Sequence, residues 1–224
     1  MSRRVRRARL ACALVLVVAC AAGAACERPR PPEPVDPSEL AIGARVTIRT
    51  DTVGADAHAR RATFALVDVD NRGERPATVT LGGVLVDGDG HEVGTLRAET
   101  LWIPARGRRT FALVDDRDAP RPDAVAVRVD VRGAVRPRHD EVVRIEQGHV
   151  WRDGDRVVAT GMVRNTADRP CHAVVLAGFH GADGAPLTRP FAVFPIGGGA
   201  ERPTRFVGPP GSTSGYIFVG KIRC

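Results

Sequence analysis

The feature that most constrains this chain is an internal repeat. Asn71 and Asn165, Arg75-Pro76 and Arg169-Pro170, and Asp89-Gly90 and Asp183-Gly184 are each separated by 94 residues, and no gap is needed between these anchors. Each block reads as a strand, a turn closed by Arg-Pro, a second strand, and an Asp-Gly hairpin turn. A unit of this length matches one immunoglobulin-type sandwich of roughly 100 residues. The 224-residue chain therefore has room for two such units and little else.

Alternation within the strands names the expected core. After the Arg-Pro turn of the first copy, Val79, Leu81, Gly83 and Leu85 share one side. Ala173, Val175, Ala177 and Phe179 are their counterparts in the second copy. Both sets are small or apolar, as a period of two against a core requires. Val125, Val127, Val129 and Val131 repeat the pattern at the end of copy one. The closing strand of copy two is expected over 214–222, with Tyr216 and Phe218 on one side and Ile217 and Val219 on the other. Six or seven strands per copy, with turns every 8–12 residues, predict an all-β fold. Its form is two tandem immunoglobulin-like antiparallel β-sandwiches, following a signal peptide and a Pro-rich tether. The expected boundaries are 39–136 and 139–224. The alternation is complete in each copy, so each is expected to close its own core.

These residues also carry a family resemblance. Val163-Arg164-Asn165-Thr166-Ala167-Asp168-Arg169-Pro170, followed by a strand and Ala182-Asp183-Gly184, resembles the FxLYD-type domain of bacterial envelope proteins. That family is similar to fibronectin type III and other immunoglobulin-like sandwiches. Its Gly-x-Val-x-Asn pattern corresponds to Gly161-Met162-Val163-Arg164-Asn165. The resemblance covers 141–224 well and 40–135 loosely. Copy one has Val67 where the family has Gly, and copy two has His180-Gly181 where the family has Tyr-Asp. The motif describes turns and core, and implies an envelope setting without naming an activity.

Charge is concentrated at the amino terminus. The formal net charge is +7, but Arg3, Arg4, Arg6, Arg7 and Arg9 supply five of the 33 basic residues. Without residues 1–19, 28 basic residues face 26 acidic ones, so nothing points to nucleic acid. The uncharged stretch 10–25 is short for a bilayer span and suits an export signal. Within it, Val17-Val18-Ala19-Cys20 resembles a bacterial lipoprotein signal, which implies signal cleavage after residue 19 and a lipid on the Cys20 thiol. Cys26, after Gly23-Ala24-Ala25, is the alternative and would move the boundary to 25. Residues 20–38 contain a proline-rich run that closes at Pro37 and suits an extended tether behind a lipid.

The polar clusters favour structural readings. Asp87-Gly88-Asp89-Gly90-His91-Glu92 resembles the start of a calcium loop, but position 12 is Ala98 rather than Glu. A hairpin turn with glycine at positive φ is expected instead. The histidines at 58, 91, 139, 149, 172 and 180 form no close pair of metal-ligand spacing and read as solvated. No metal or cofactor is expected. No nucleophile elbow, zincin motif or phosphate loop is present, and the only serines are 2, 38, 212 and 214. Trp102 and Trp151 each read as a half-buried cover for a sandwich end, or as a binding anchor.

Of five cysteines, Cys12 leaves with the signal and Cys20 or Cys26 takes the lipid. An odd thiol left in the tether is the argument for Cys26. Cys171 and Cys224 remain, in a compartment that favours oxidation. Cys171 opens the third strand of copy two and Cys224 closes the chain. With 142–151 as the first strand of copy two, a six-strand up-and-down order starts the third strand at the end where the sixth finishes, so a Cys171–Cys224 disulfide is expected. The functional expectation is an exported, lipid-anchored, non-enzymatic binding or scaffolding module of the cell envelope, on the outer membrane if the cell is Gram-negative. Its partners would be the membrane, through the lipid, and an envelope protein met at an edge strand or loop end. A passive spacer, a metal- or small-ligand-binding module, and an enzyme with an unrecognised site are the alternatives.

Overall fold

The computed structural model describes residues 31–224 other than 55, 56 and 58. Among the described residues, thirteen strands follow in chain order after a 3₁₀ turn at Pro37–Glu39. The first repeat holds β1 (Leu40–Val53), β2 (Arg60–Asn71), β3 (Ala77–Val86), β4 (Glu92–Ile103), β5 (Arg108–Val114) and β6 (Ala126–Val135). The second holds β7 (Val143–Asp153), β8 (Arg156–Asn165), β9 (Cys171–His180), β10 (Pro186–Thr188), β11 (Phe191–Ile196), β12 (Glu201–Val207) and β13 (Ser214–Arg223).

The chain is all-β and every strand pair is antiparallel. Repeat one pairs β1-β2-β5 in one sheet and β4-β3-β6 in the other. Repeat two pairs β12-β8-β7 in one sheet, and in the other β9 lies between β13 and the successive short strands β10 and β11. The two topologies are equivalent once β10 and β11 are taken together as the counterpart of β4. No sheet among the described residues mixes strands from both repeats.

The repeated asparagine explains why the repeat is visible. Asn71 and Asn165 are almost wholly buried at the ends of β2 and β8. Asn71 Nδ2 donates to the carbonyls of Arg75 (2.8 Å) and Pro104 (2.9 Å), and its Oδ1 accepts from Gly73 N (3.1 Å). Asn165 Nδ2 donates to Arg169 (2.8 Å) and Gly197 (3.0 Å), and its Oδ1 accepts from Ala167 N (3.0 Å). One buried amide thus satisfies the Arg-Pro turn and ties it to the turn before β5 or β12. An apolar residue there would orphan several buried backbone groups.

The alternation in β3 and β9 is as expected. Val79, Leu81 and Leu85, and Ala173, Val175, Ala177 and Phe179, are all solvent-free. The valine run of β6 is less buried, because β6 is an edge strand, and Val125 and Val131 remain exposed. The end of the proline-rich segment is not a free tether. Val35 is buried, Pro34 bridges Val135, and Arg136 N donates to Glu33 O (2.8 Å). Proline suits such an edge position, where a missing N–H removes no ladder bond.

The expectation that each repeat closes its own core does not match the packing. Leu176 on β9 and Phe218 on β13 belong to the core of repeat one, with Val67, Leu81, Leu101 and Phe111. Their strand neighbours Val175 and Val219 face the core of repeat two. The sheet formed by β9 and β13 therefore packs on both faces, one toward each repeat. Truncating a fully buried Phe costs about 3–5 kcal/mol. Phe218→Ala should lower stability by that order, and hydrogen exchange should show faster opening in β4 and β5 as well as in β13.

Cys171 and Cys224 form a disulfide across the antiparallel pair β9–β13, where Arg223 faces His172. The bridge spans 53 residues of sequence, which corresponds to about 4 kcal/mol of loop entropy removed from the unfolded chain. Reduction, or the double change Cys171→Ala and Cys224→Ala, should lower the melting temperature markedly. Intact mass after alkylation without reductant should show both thiols protected.

Candidate functional site at the junction of the repeats

The junction begins with residues on the face of β2 turned away from Val67 and Val69. Leu66 and Asp68 lie there, both buried. Asp68 accepts from Thr110 Oγ1 (2.6 Å) through one oxygen, and its other oxygen lies 2.8 Å from His180 Nε2 of repeat two. Tyr216 OH lies 2.7 Å from Thr110 Oγ1, and the Tyr216 and His180 rings stack with centroids 5.7 Å apart. Burial first, and then the Asp68 carboxylate, push the Tyr216 phenol above its usual range. A Cβ at Gly178 would come within 2.7 Å of Thr110 Oγ1, so the close approach of the repeats requires glycine there.

A second polar tie lies nearer the surface. Arg189 grips both carboxylate oxygens of Glu99 at 2.9 Å and donates to Thr110 O (3.1 Å). Glu99 also accepts from the backbone amide of Ala112 (2.8 Å). Arg49 donates to Leu187 O (3.0 Å). Such bidentate, mostly buried arginine pairs fix geometry more than they add stability.

Two clefts flank this seam. One, of about 570 Å³, is lined by Leu101, Glu99, Leu176, Arg189, Phe191 and Lys221. The other, of about 320 Å³, is lined by Trp102, Arg109, Glu141, Arg144, Ile145 and Ile217, among others. In the smaller cleft the Arg109 guanidinium lies over Phe218 (4.9 Å to the ring centroid) and beside Trp102 (5.9 Å). Among the described residues no carboxylate reaches it at ion-pair distance, and burial pulls its pKa below the ordinary arginine value. Glu141 is half-buried, and burial raises its carboxyl to about 7 despite the opposing pull of Arg109.

The raised Glu141 value has a sign that can be tested. The folded state holds this proton more tightly than the unfolded chain, whose carboxyl titrates near 4.5. Stability should therefore fall as pH rises from about 4.5 to about 7, and then level off. Discounted for partial solvent screening, the loss is about 1–2 kcal/mol. Denaturant unfolding of Glu141→Gln should lack this fall and exceed wild type at pH 8.

The residues singled out in the sequence fall in separate places. Cys20, Cys26 and His58 lie outside the described residues. The Asp-Gly loop is a hairpin turn: Asp87 Oδ1 accepts from Asp89 N (3.0 Å) and His91 N (2.9 Å), and Gly90 has φ +84°. Asp87, Asp89 and His91 do bring one ligand atom each within 4.8 Å of one another, but one Asp87 oxygen is committed to the turn amides. Ser212 is buried and accepts from Val157 N (2.9 Å), which is a structural role. Trp151 is 44% exposed on the edge strand β7.

The reading of every histidine as solvated is wrong for His180, which is buried against Asp68. A signal was present in the repeat itself. Asp68 corresponds to Met162, and His180 to Val86, so each polar partner replaces an apolar residue of the other copy. Departures from the repeat mark the junction.

The chain matches no known family profile and no curated protein. Among solved structures it is similar to a transglutaminase from red sea bream at 13% identity and a TM-score of 0.24, covering 77% of this chain and 31% of that one. It is also similar to the N-terminal CBM22-1–CBM22-2 tandem domain of Paenibacillus barcinonensis Xyn10C, at 9% identity and a TM-score of 0.14, covering 83% and 86% of the two chains. At such scores neither likeness bears on activity. No helix among the described residues is long and apolar enough to cross a membrane.

Proposed function

We propose that this protein is an exported, lipid-anchored, non-enzymatic binding or scaffolding module of the cell envelope. The basic n-region, the short apolar stretch and the Val17-Val18-Ala19-Cys20 signal support the anchor, and the FxLYD resemblance supports the setting. One observation carries the binding role. Strand β11 pairs only with β9 among the described residues, and this edge presents Phe191 and Val193 at 47% and 56% exposure. Both lie on one side of the strand, in register with Leu176 and Val174. An uncovered apolar edge is a liability that proteins normally blunt with charge, so its retention favours a partner segment that completes the sheet.

The anchor is tested by metabolic labelling with a fatty acid. Label should enter the wild-type protein and vanish when Cys20 and Cys26 are both changed to Ser, while single changes should identify the acceptor. Labelling that persists in the double mutant refutes the anchor. For the binding role, membrane pulldowns with wild type should retain a protein that Phe191→Glu with Val193→Lys loses. Identical profiles would leave a passive spacer as the better account.

A further inference from the structure

The smaller cleft at the junction holds an arrangement that neither the fold nor an edge-binding role uses. Trp102 Nε1 and Arg109 Nε are both shut off from solvent and find no acceptor among the described residues. Among the described residues, the one hydrogen bond formed by the Arg109 side chain is from Nη1 to Arg108 O (2.9 Å). Tryptophan and arginine can only donate, so two residues that line this space each carry an unmatched buried donor, and among the described residues the Arg109 cation has no carboxylate at ion-pair distance. Leaving such groups unmatched is costly in a low-dielectric site. The opposite walls, Ile145, Ile217 and Val219, are apolar.

We propose that this cleft binds a carboxylate carried on a small apolar body, with the anion on the Arg109 guanidinium, beside Trp102, and the body against Ile145 and Ile217. A volume of about 320 Å³ limits the occupant to a small group. Contacts with the Trp102 and Phe218 rings help fix the guanidinium, which favours directional recognition of a carboxylate. Arg109 on β5 is faced by Glu141 and Asp140 from the connector, Arg144 from β7 and Tyr216 from β13. Arg144 is itself near Glu146 (3.7 Å). Glu141 is the internal competitor for Arg109. When it is protonated the cation is free for an external anion, and when it ionises the two anions exclude each other. Binding should therefore weaken as pH rises through about 7. The source of the ligand is either a free aliphatic acid or the C-terminus of a peptide ending in an apolar residue.

The test uses the full chain with Trp151→Phe, which leaves Trp102 as the sole tryptophan reporter. Hexanoate should produce a saturable change in Trp102 fluorescence at pH 6, with apparent affinity weaker by roughly tenfold or more at pH 8.5. Hexan-1-ol should produce none. Glu141→Gln should bind at pH 8.5 as tightly as the parent does at pH 6. A gain of this kind cannot come from misfolding. Arg109→Met, checked for an unchanged melting transition, should lose the response. A short peptide ending in Leu, compared with its C-terminal amide, separates the sources. A response to the acid form only, stronger than that to hexanoate, assigns the site to a peptide terminus. A response to hexanoate with none to the peptide assigns it to a free acid. No saturable change with either acid at pH 6, an equal response to hexanol, or an unaltered pH profile in Glu141→Gln would overturn the proposal.

Discussion

Strand β9 has little solvent-facing surface over its second half, and the rest of the structure follows from that constraint. Residues 173, 175, 177 and 179 fill the core of repeat two, while Leu176, Gly178 and His180 are buried on the other side. A sheet strand buried on both faces must be covered by a second layer. Here repeat one supplies that layer. Leu176 and Phe218 enter its core, and Gly178 lets Thr110 approach. The two sandwiches thereby behave as one packed unit across their seam, although their sheets remain separate.

The polar groups at the seam are explained by the same burial. A carboxylate placed on the covered face of β2 must find partners, and Asp68 finds Thr110 and His180. Removing both partners would leave a buried carboxyl group unsatisfied, so these bonds help hold the repeats in register. Arg189 and Glu99 repeat this logic at the rim. Arg109 is the exception. It lies over the rings of Phe218 and Trp102 and, among the described residues, has no carboxylate at ion-pair distance, so matching beside the cleft is incomplete. Among the described residues, polar matching is thus complete in one part of the seam and incomplete in another.

The sequence alone determined the repeat, the all-β class, the turn positions and the inward residues of β3 and β9. These are local properties. A period of two and a glycine at positive φ in an Asp-Gly turn are written in neighbouring residues. The Cys171–Cys224 bridge was also expected from the sequence, on a six-strand count that holds when β10 and β11 are taken as one, but it is the adjacency of β9 and β13 that brings the two thiols together. The docking of the repeats was not legible by alternation. The outer face of β9 and β13 carries Leu176, Tyr216 and Phe218, and a run apolar on both faces reads the same whether its second face meets solvent or another sheet. Only the tertiary structure decided that His180 is buried, that Glu141 and Arg109 share a cleft, and that Phe191 stays exposed. Each of these depends on residues far apart in the chain, and therefore on which faces pack together, which no local pattern records.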